Sequence, residues 1–335
     1  MTHREGLDGQ SRSLTMTRRQ FGLMTGAAGA GLVLPPFSSA ALADTYPART
    51  VTILAPAAAG GPTDTIGRAA ALRLREKFNQ NFVVENKVGA SGNLAAQAAA
   101  KAEPDGYTLI VLLAPLAQNN AIFRQPGFNL EQDFKPLAHM ASVDLVIAAR
   151  KDLPINNLDE FLSFLKANPG KLSCGSQSPP QMQYLMQTTK VQFTVVPYKG
   201  SALIANDLVA GQIDIGLVPY SDIAQHVEAG KVKVLFTNGP KRVRKMPNVQ
   251  AVGEKFPGFY FWSWYGLAAP ANTPEPIVQQ LRKELVGIAK SPDFVAFVEK
   301  LGLSPVDEPE KFNDVIAAEI KQWKRLVEEL KLPRI

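Results

Sequence analysis

Short runs of β-branched residues alternate with alanine-rich stretches along most of this chain, and that alternation most narrows what it can become. The runs at 51–55, 82–85, 107–113, 145–149, 193–196, 213–217 and 232–236 have the length and composition of buried strands, with a further short one near 172–174. Between them, 63–78, 94–101, 158–167, 202–210 and 222–229 read as helices. A strand–helix–strand rhythm of this kind predicts an α/β fold with mostly parallel sheet flanked by helices.

Turn residues sit where the rhythm changes. Glu103-Pro104-Asp105-Gly106 is a turn, Asn168-Pro169-Gly170 stops one helix, and Gly211 and Gly230 end two others. Thr63 or Asp64, Asn93 and Ser201 stand where a side chain caps the first amides of a helix. Three terminal helices are expected near Pro274, Pro292 and Pro309, with Trp323 packing on the sheet. The block from 145 to 262 reads as a complete second unit inserted within the first. The expected organisation is therefore a lobe of 44–144 and 263–335, with a second lobe of 145–262.

The first 43 residues read as an export address. Thr17-Arg18-Arg19-Gln20-Phe21-Gly22-Leu23 is a twin-arginine pattern, and Ala41-Leu42-Ala43 suits a signal peptidase. The apolar stretch 21–34 is shorter than the roughly 20 residues a spanning helix needs, and Pro35 and Pro36 follow it. The mature chain is expected to start at Asp44, in the periplasm. Removing 43 of 335 residues leaves 292, enough for two lobes. It also removes four arginines and two acids, so the net charge falls from +6 to +4. The single basic run, Lys241, Arg242, Arg244 and Lys245, is not the stripe of a nucleic-acid binder, so no nucleic acid is expected.

Catalytic readings fail for want of residues. Only His139 and His226 remain after the leader, the former placed at a strand edge or crossover and the latter on a helix. Cys174 is the single cysteine, so neither a disulfide nor a metal framework is available. No phosphate-binding loop ending in Gly-Lys-Ser/Thr and no Gly-x-Ser-x-Gly elbow exists; Gly89-Ala90-Ser91-Gly92 is one glycine short. Neither an enzyme, a cofactor nor a metal is expected.

What the chain does have is glycine between strand and helix. Ala57, Ala58, Gly60, Gly61, Thr63 and Asp64 form one such loop, and Ala90, Ser91, Gly92 and Asn93 belong to the next. A third, Tyr198, Lys199 and Gly200, follows the run 193–196, and Lys199 is either a ligand-facing cation or a solvated one. Free amides at helix starts favour anions, and glycine lets a carboxylate approach the backbone.

The ordered motifs Tyr46-Pro47, Gly60-Gly61-Pro62-Thr63-Asp64, Val84-Glu85-Asn86-Lys87 with Gly89 and Gly92-Asn93, Pro104-Asp105-Gly106-Tyr107, Val196-Pro197-Tyr198-Lys199-Gly200-Ser201 and Ser263-Trp264-Tyr265-Gly266-Leu267 resemble the Bug family of periplasmic solute-binding receptors. The resemblance covers nearly the whole mature chain. It implies a two-lobed Venus-flytrap fold of the periplasmic-binding-protein type II, with crossover strands. It also implies a monomer that holds a small carboxylate and presents it to the membrane subunits of a tripartite tricarboxylate-type transporter, or to a sensor kinase. By that resemblance Ala114, Gln177 and Val218 join the loop residues at the ligand. Two departures stand out: the segment from Cys174 to Tyr184 is several residues shorter than usual, and Val218-Pro219 replaces a common aspartate. An aromatic or less polar acid is expected in place of citrate.

Overall fold

The computed structural model describes residues 46–198 and 200–332. The twin-arginine segment, its cleavage site and Lys199 lie outside that range. Among the described residues no helix is long and apolar enough to cross a membrane.

Among the described residues, ten strands form two five-stranded sheets. The first contains β1 (Val51–Ala55), β2 (Phe82–Asn86), β3 (Thr108–Leu113), β4 (Phe134–Val143) and β10 (Ser263–Pro270), in the order β2-β1-β3-β10-β4. The second contains β5 (Leu145–Arg150), β6 (Ser173–Ser176), β7 (Thr194–Pro197), β8 (Ile215–Pro219) and β9 (Val232–Thr237), in the order β7-β6-β8-β5-β9. The sheets are mixed, which corrects the expectation of mostly parallel sheet. β10 is antiparallel to β3 and β4, and β5 is antiparallel to β8 and β9. Both odd strands have one cause: each enters its sheet straight from the other lobe, so it starts at the edge where its neighbours end.

The helices are α1 (Pro62–Phe78), α2 (Asn93–Ala100), α3 (Ala114–Ile122), α4 (Leu158–Ala167), α5 (Pro179–Thr189), α6 (Ser201–Val209), α7 (Tyr220–Glu228), α8 (Val252–Lys255), α9 (Glu275–Lys290), α10 (Pro292–Lys300) and α11 (Phe312–Glu329). α3, α5 and α8 went unforeseen. α3 leaves β3 with no turn between them, and α5 opens on Pro179-Pro180, a pair that reads as loop although proline fits a first helical turn.

Strand periodicity sorts the core. Along β3, Leu109 and Val111 face one cluster while Ile110 and Leu112 face another; along β5, Val146 and Ala148 oppose Ile147 and Ala149. The cluster holding Ile110 and Ile147 is shared by both sheets and sealed by α11. In α11 the residues Phe312, Ile316, Ile320, Trp323 and Val327 recur on one helical face, all buried. Trp323 packs there at 6.0 Å from Phe261, as its apolar spacing predicted. Burial pushes the Cys174 thiol up to about 12, so it serves as a core residue.

Asp144 alone separates β4 from β5. Beyond the outer edges of β4 and β9 the lobes also touch directly. Arg244 pairs with Asp307 at 2.5 Å, and Lys245 Nζ donates to the Leu303 carbonyl at 3.2 Å.

Candidate functional site

Register fixes where the loops gather. Leu113 pairs with Tyr265 and Val143 with Ser263, so β3 and β4 end where β10 begins. Pro219 pairs with Leu145 and Thr237 with Val146, so β8 and β9 end where β5 begins. The carboxyl ends of both sheets' parallel strands therefore lie on the side where the chain crosses between lobes. From this side start α1, α2, α3, α5, α6 and α7. Their N-cap residues Gly61, Gly92, Leu113, Ser178, Gly200 and Pro219 make no side-chain cap bond. By contrast α4 starts at the opposite edge, and Asn157 there accepts from the Glu160 amide at 2.9 Å. Thr63, Asp64, Asn93 and Ser201 are thus not caps but first-turn residues. First-turn amides without side-chain partners, at the positive end of the helix dipole, form an anion-binding surface.

The first loop is held by Asp64. One carboxylate oxygen, Oδ2, accepts from the Gly60 amide at 2.9 Å and Arg68 Nε at 3.0 Å. Oδ1 accepts from Asn86 Nδ2 at 2.9 Å and pairs with Arg68 Nη2 at 2.9 Å. Asn86 Nδ2 also donates to the Ala57 carbonyl at 3.0 Å. Burial opposes ionisation of Asp64, but the bonds from Arg68, Gly60 and Asn86 prevail and hold its carboxyl below the usual range. Asp64 and Thr63 are buried, while Ala58 and Gly60 are exposed at the loop's surface. Asp64 is thereby a scaffold that shapes the loop and leaves its backbone at Ala58 and Gly60 exposed.

Asp64→Ala strands the Gly60 and Asn86 donors and should cost about 2 kcal/mol in urea unfolding, with faster amide exchange at 57–61. A variant as stable and as protected as the parent would remove Asp64 from this role. Because the folded carboxyl titrates below the unfolded one, its contribution is present above the ordinary carboxylate range and is lost as pH falls through the folded value.

The second loop is backbone under strain. Gly89, Ala90, Ser91 and Gly92 all have positive φ, at 142°, 46°, 55° and 93°. For Ala90 and Ser91 such angles cost about 1–3 kcal/mol each and persist only where the surroundings impose them. Asn119, on α3, does so by donating to the Ser91 carbonyl at 3.0 Å and to Asn93 Oδ1 at 2.7 Å. Gly92 is close-packed, since a Cβ there would lie 3.2 Å from Pro56 and 3.3 Å from Leu116. The outcome is an exposed Ala90–Ser91 pair over buried Gly92, Asn93 and Ala114. Arg68, Asn86 and Asn119 were not singled out from sequence; Asn86 was visible only as part of its motif.

In the second lobe the expected residues divide. Gln177 is exposed at the end of β6. Tyr198 is half-buried, donates to Asp207 Oδ2 at 2.5 Å, and through that bond its phenol is pushed up to about 12. Gly200 caps α6. Ser178 Oγ is buried without a partner at the start of α5. Val218 is fully buried among Ile204, Ala205 and Leu208, so its side chain belongs to the lobe core and does not wall a ligand. The reason is strand parity: Val218 and Val146 are paired and face the same interior.

Among solved structures, the chain is similar to a ligand-free solute-binding protein from Polaromonas, with 28% identity and a TM-score of 0.77, over 85% of this chain and 100% of that one. It is similar to a protein of R. palustris with adipate, at 29% identity and a TM-score of 0.67, over 87% and 100%. MatC from Rhodopseudomonas palustris with bound malate matches at 32% identity and a TM-score of 0.63, over 84% and 100%. Residues 66–332 match the model of the tripartite tricarboxylate transporter family receptor. A chain with this match, these two sheets and these paired glycine loops belongs to the tripartite tricarboxylate transporter receptor family, whose members bind solutes and are not enzymes.

Proposed function

We propose that this receptor works in the periplasm as a monomer, exported by the twin-arginine route, and delivers a small carboxylate to the membrane subunits of a tripartite transporter. Its two lobes are taken as 44–144 with 263–335, and 145–262. The observation that carries this reading is the set of helix starts without side-chain caps, gathered beside the crossing and joined to two glycine loops. Such a surface supplies several fixed N–H donors, which suits a carboxylate. Ala57, Ala58, Gly60, Gly61, Ala90, Ser91, Gln177 and Gly200 are the residues placed to meet the ligand, with Lys199 beside them in sequence.

The case for an aromatic acid rested partly on Val218-Pro219 standing where a polar aspartate is common; Val218 itself is buried in the lobe core and adds no apolar contact to a ligand. Similar receptors are solved with adipate and with malate, both aliphatic dicarboxylates, so this class is the first to test.

Thermal unfolding of the mature protein against aliphatic di- and tricarboxylates and aromatic acids is the test. At about 100 times its dissociation constant a true ligand adds roughly 2.7 kcal/mol of stability. A shift confined to one acid class identifies the substrate class. Failure of every acid to move the transition would sink the carboxylate reading.

A further inference from the structure

A cavity of about 400 Å³ lies on the far side of the crossing from the glycine loops. It opens beyond β4 and β9, the outer strands of the two sheets, whereas the loops follow β1, β2, β6 and β7 on the other side of β10 and β5. None of the ligand-facing loop residues lines it. Its wall joins an uncompensated carboxylate to aromatic rings. Asp144, between β4 and β5, is half-buried there. Its Oδ2 accepts from the Ser304 hydroxyl, while Oδ1 has no partner among the described residues and is not sealed from water. The field of Lys245 reaches Asp144, yet the Lys245 ammonium is turned to the Glu299 and Leu303 carbonyls, at 3.5 and 3.2 Å. Burial prevails over both helpers and raises the Asp144 carboxyl, as befits an acid short of compensation.

A line of contacts leads from this carboxylate to the rings. Ser304 pairs through its backbone with Ser142, Ser142 Oγ lies 3.2 Å from His139 Nε2, and the His139 ring meets Trp262 edge-on at 5.6 Å. Trp262 and Tyr260 stand 6.4 Å apart with their planes at 84°, both partly exposed, and so form a corner in the wall. Burial pushes His139 down to about 4, so it stays neutral and puts no positive charge between carboxylate and rings. At the rim Arg242 pairs with Glu254, Arg244 with Asp307 and Lys311 with Glu308. Lys241 and Asp314 make no ion pair among the described residues; both are exposed, where water screens them, and they offset one another. The charge left at depth is that of Asp144. Aromatic faces attract cations, and a partly desolvated carboxylate attracts them more strongly than one in open water.

We propose that this cavity is a second small-molecule site, taking an organic ammonium ion that donates to Asp144 Oδ1 and packs its apolar body against Tyr260 and Trp262. Its size lies within the range of ordinary ligand sites, which are mostly apolar with a few convergent polar groups. The proposal does not depend on which solute the glycine loops hold. Those loops present N–H donors, which turn a cation away, so binding of a cation reports on this cavity alone.

The probe is 2-phenylethylammonium chloride, titrated calorimetrically into the receptor. A cation of this size at ordinary ligand efficiency has a dissociation constant on the order of 1 mM. Its neutral analogue, 2-phenylethanol, should bind at least about tenfold more weakly, since it forgoes the charged bond. Asp144→Asn, which keeps an oxygen for the Ser304 hydroxyl, should weaken ammonium binding at least about tenfold. Lys241→Glu, a change at the exposed rim, should tighten it about two- to fivefold. Thermal unfolding checks that both variants fold, and the rim variant and the alcohol still decide if Asp144→Asn does not. Absence of saturable ammonium binding in the parent would overturn the proposal. So would an alcohol that binds as well as the ammonium, an affinity that Asp144→Asn leaves unchanged, or a Lys241→Glu variant that binds no tighter than the parent.

Discussion

Glu319→Gln should raise stability by about 3 kcal/mol at pH 8 and change it little near pH 4.5. Glu319 lies on α11 at 2% exposure, between two tryptophans. Burial raises its carboxyl from 4.5 to about 7. The bond it accepts from Trp323 Nε1 at 2.9 Å opposes that rise only in part. The Trp264 indole N–H also favours the charged form, although it falls short of hydrogen-bond geometry. In the unfolded chain this group loses its proton near 4.5; in the folded chain it keeps it until about 7. Between those values the unfolded state binds fewer protons, so stability falls as pH rises, and the full penalty is present above 7. A shift of about 2.5 units at 1.36 kcal/mol each gives the quoted size. Glutamine keeps the shape and cannot ionise. Urea unfolding of both proteins at pH 4.5 and 8 decides the matter: a difference that is the same at the two pH values would show that Glu319 does not titrate in this window.

Gly266→Val should act in the opposite direction and at least as strongly, costing about 3 kcal/mol or more, because the space a side chain needs is already filled. A Cβ on Gly266 would overlap the Phe312 ring and stand 2.7 Å from the Ala138 carbonyl oxygen. The ring has nowhere to go. Phe312 stacks on His139 at 5.5 Å and meets Trp264 edge-on at 5.3 Å. The carbonyl is fixed too, since Ala138 lies in β4 opposite Leu267. Removing the ring separately costs about 3–5 kcal/mol. In the double variant with Phe312→Ala the two losses should sum to less than their total by about 1 kcal/mol or more, since one change makes room for the other. Strict additivity in urea unfolding would mean that the overlap relaxes elsewhere.

How much of this was legible in sequence depends on whether the information is local. Strand β1 and helix α4 were read to the residue, because β-branched runs and an Asn-capped apolar helix carry their own signals. The glycine loops were legible for the same reason. What could not be read is what is decided across the fold. The reversal of β5 and β10 follows from the chain's passage between lobes, which no local pattern encodes. Asp64 looked like a ligand or a cap; its true partners include Asn86, 22 residues away. Asn119 supports a loop 28 residues earlier, and nothing in Gln118-Asn119-Asn120 announces it. Val218 was assigned by likeness to a family position, while strand parity turned its side chain to the interior.

The contacts behind the crossing have a consequence for how tightly the receptor can hold anything. If the lobes close on a ligand as proposed, Asp144 would serve as the fulcrum, with the glycine loops on one arm and the Arg244–Asp307 pair on the other. Closing the front arms would then part the rear ones, so a bond at the rear would favour the open state. The apparent dissociation constant is the intrinsic one divided by the fraction of molecules able to close. An exposed pair of this kind is worth about 0.2–1 kcal/mol, which loosens capture by up to about fivefold. On that reading release would be favoured from the start: with the cargo drawn off, the rear contacts re-form and return the receptor to its open position.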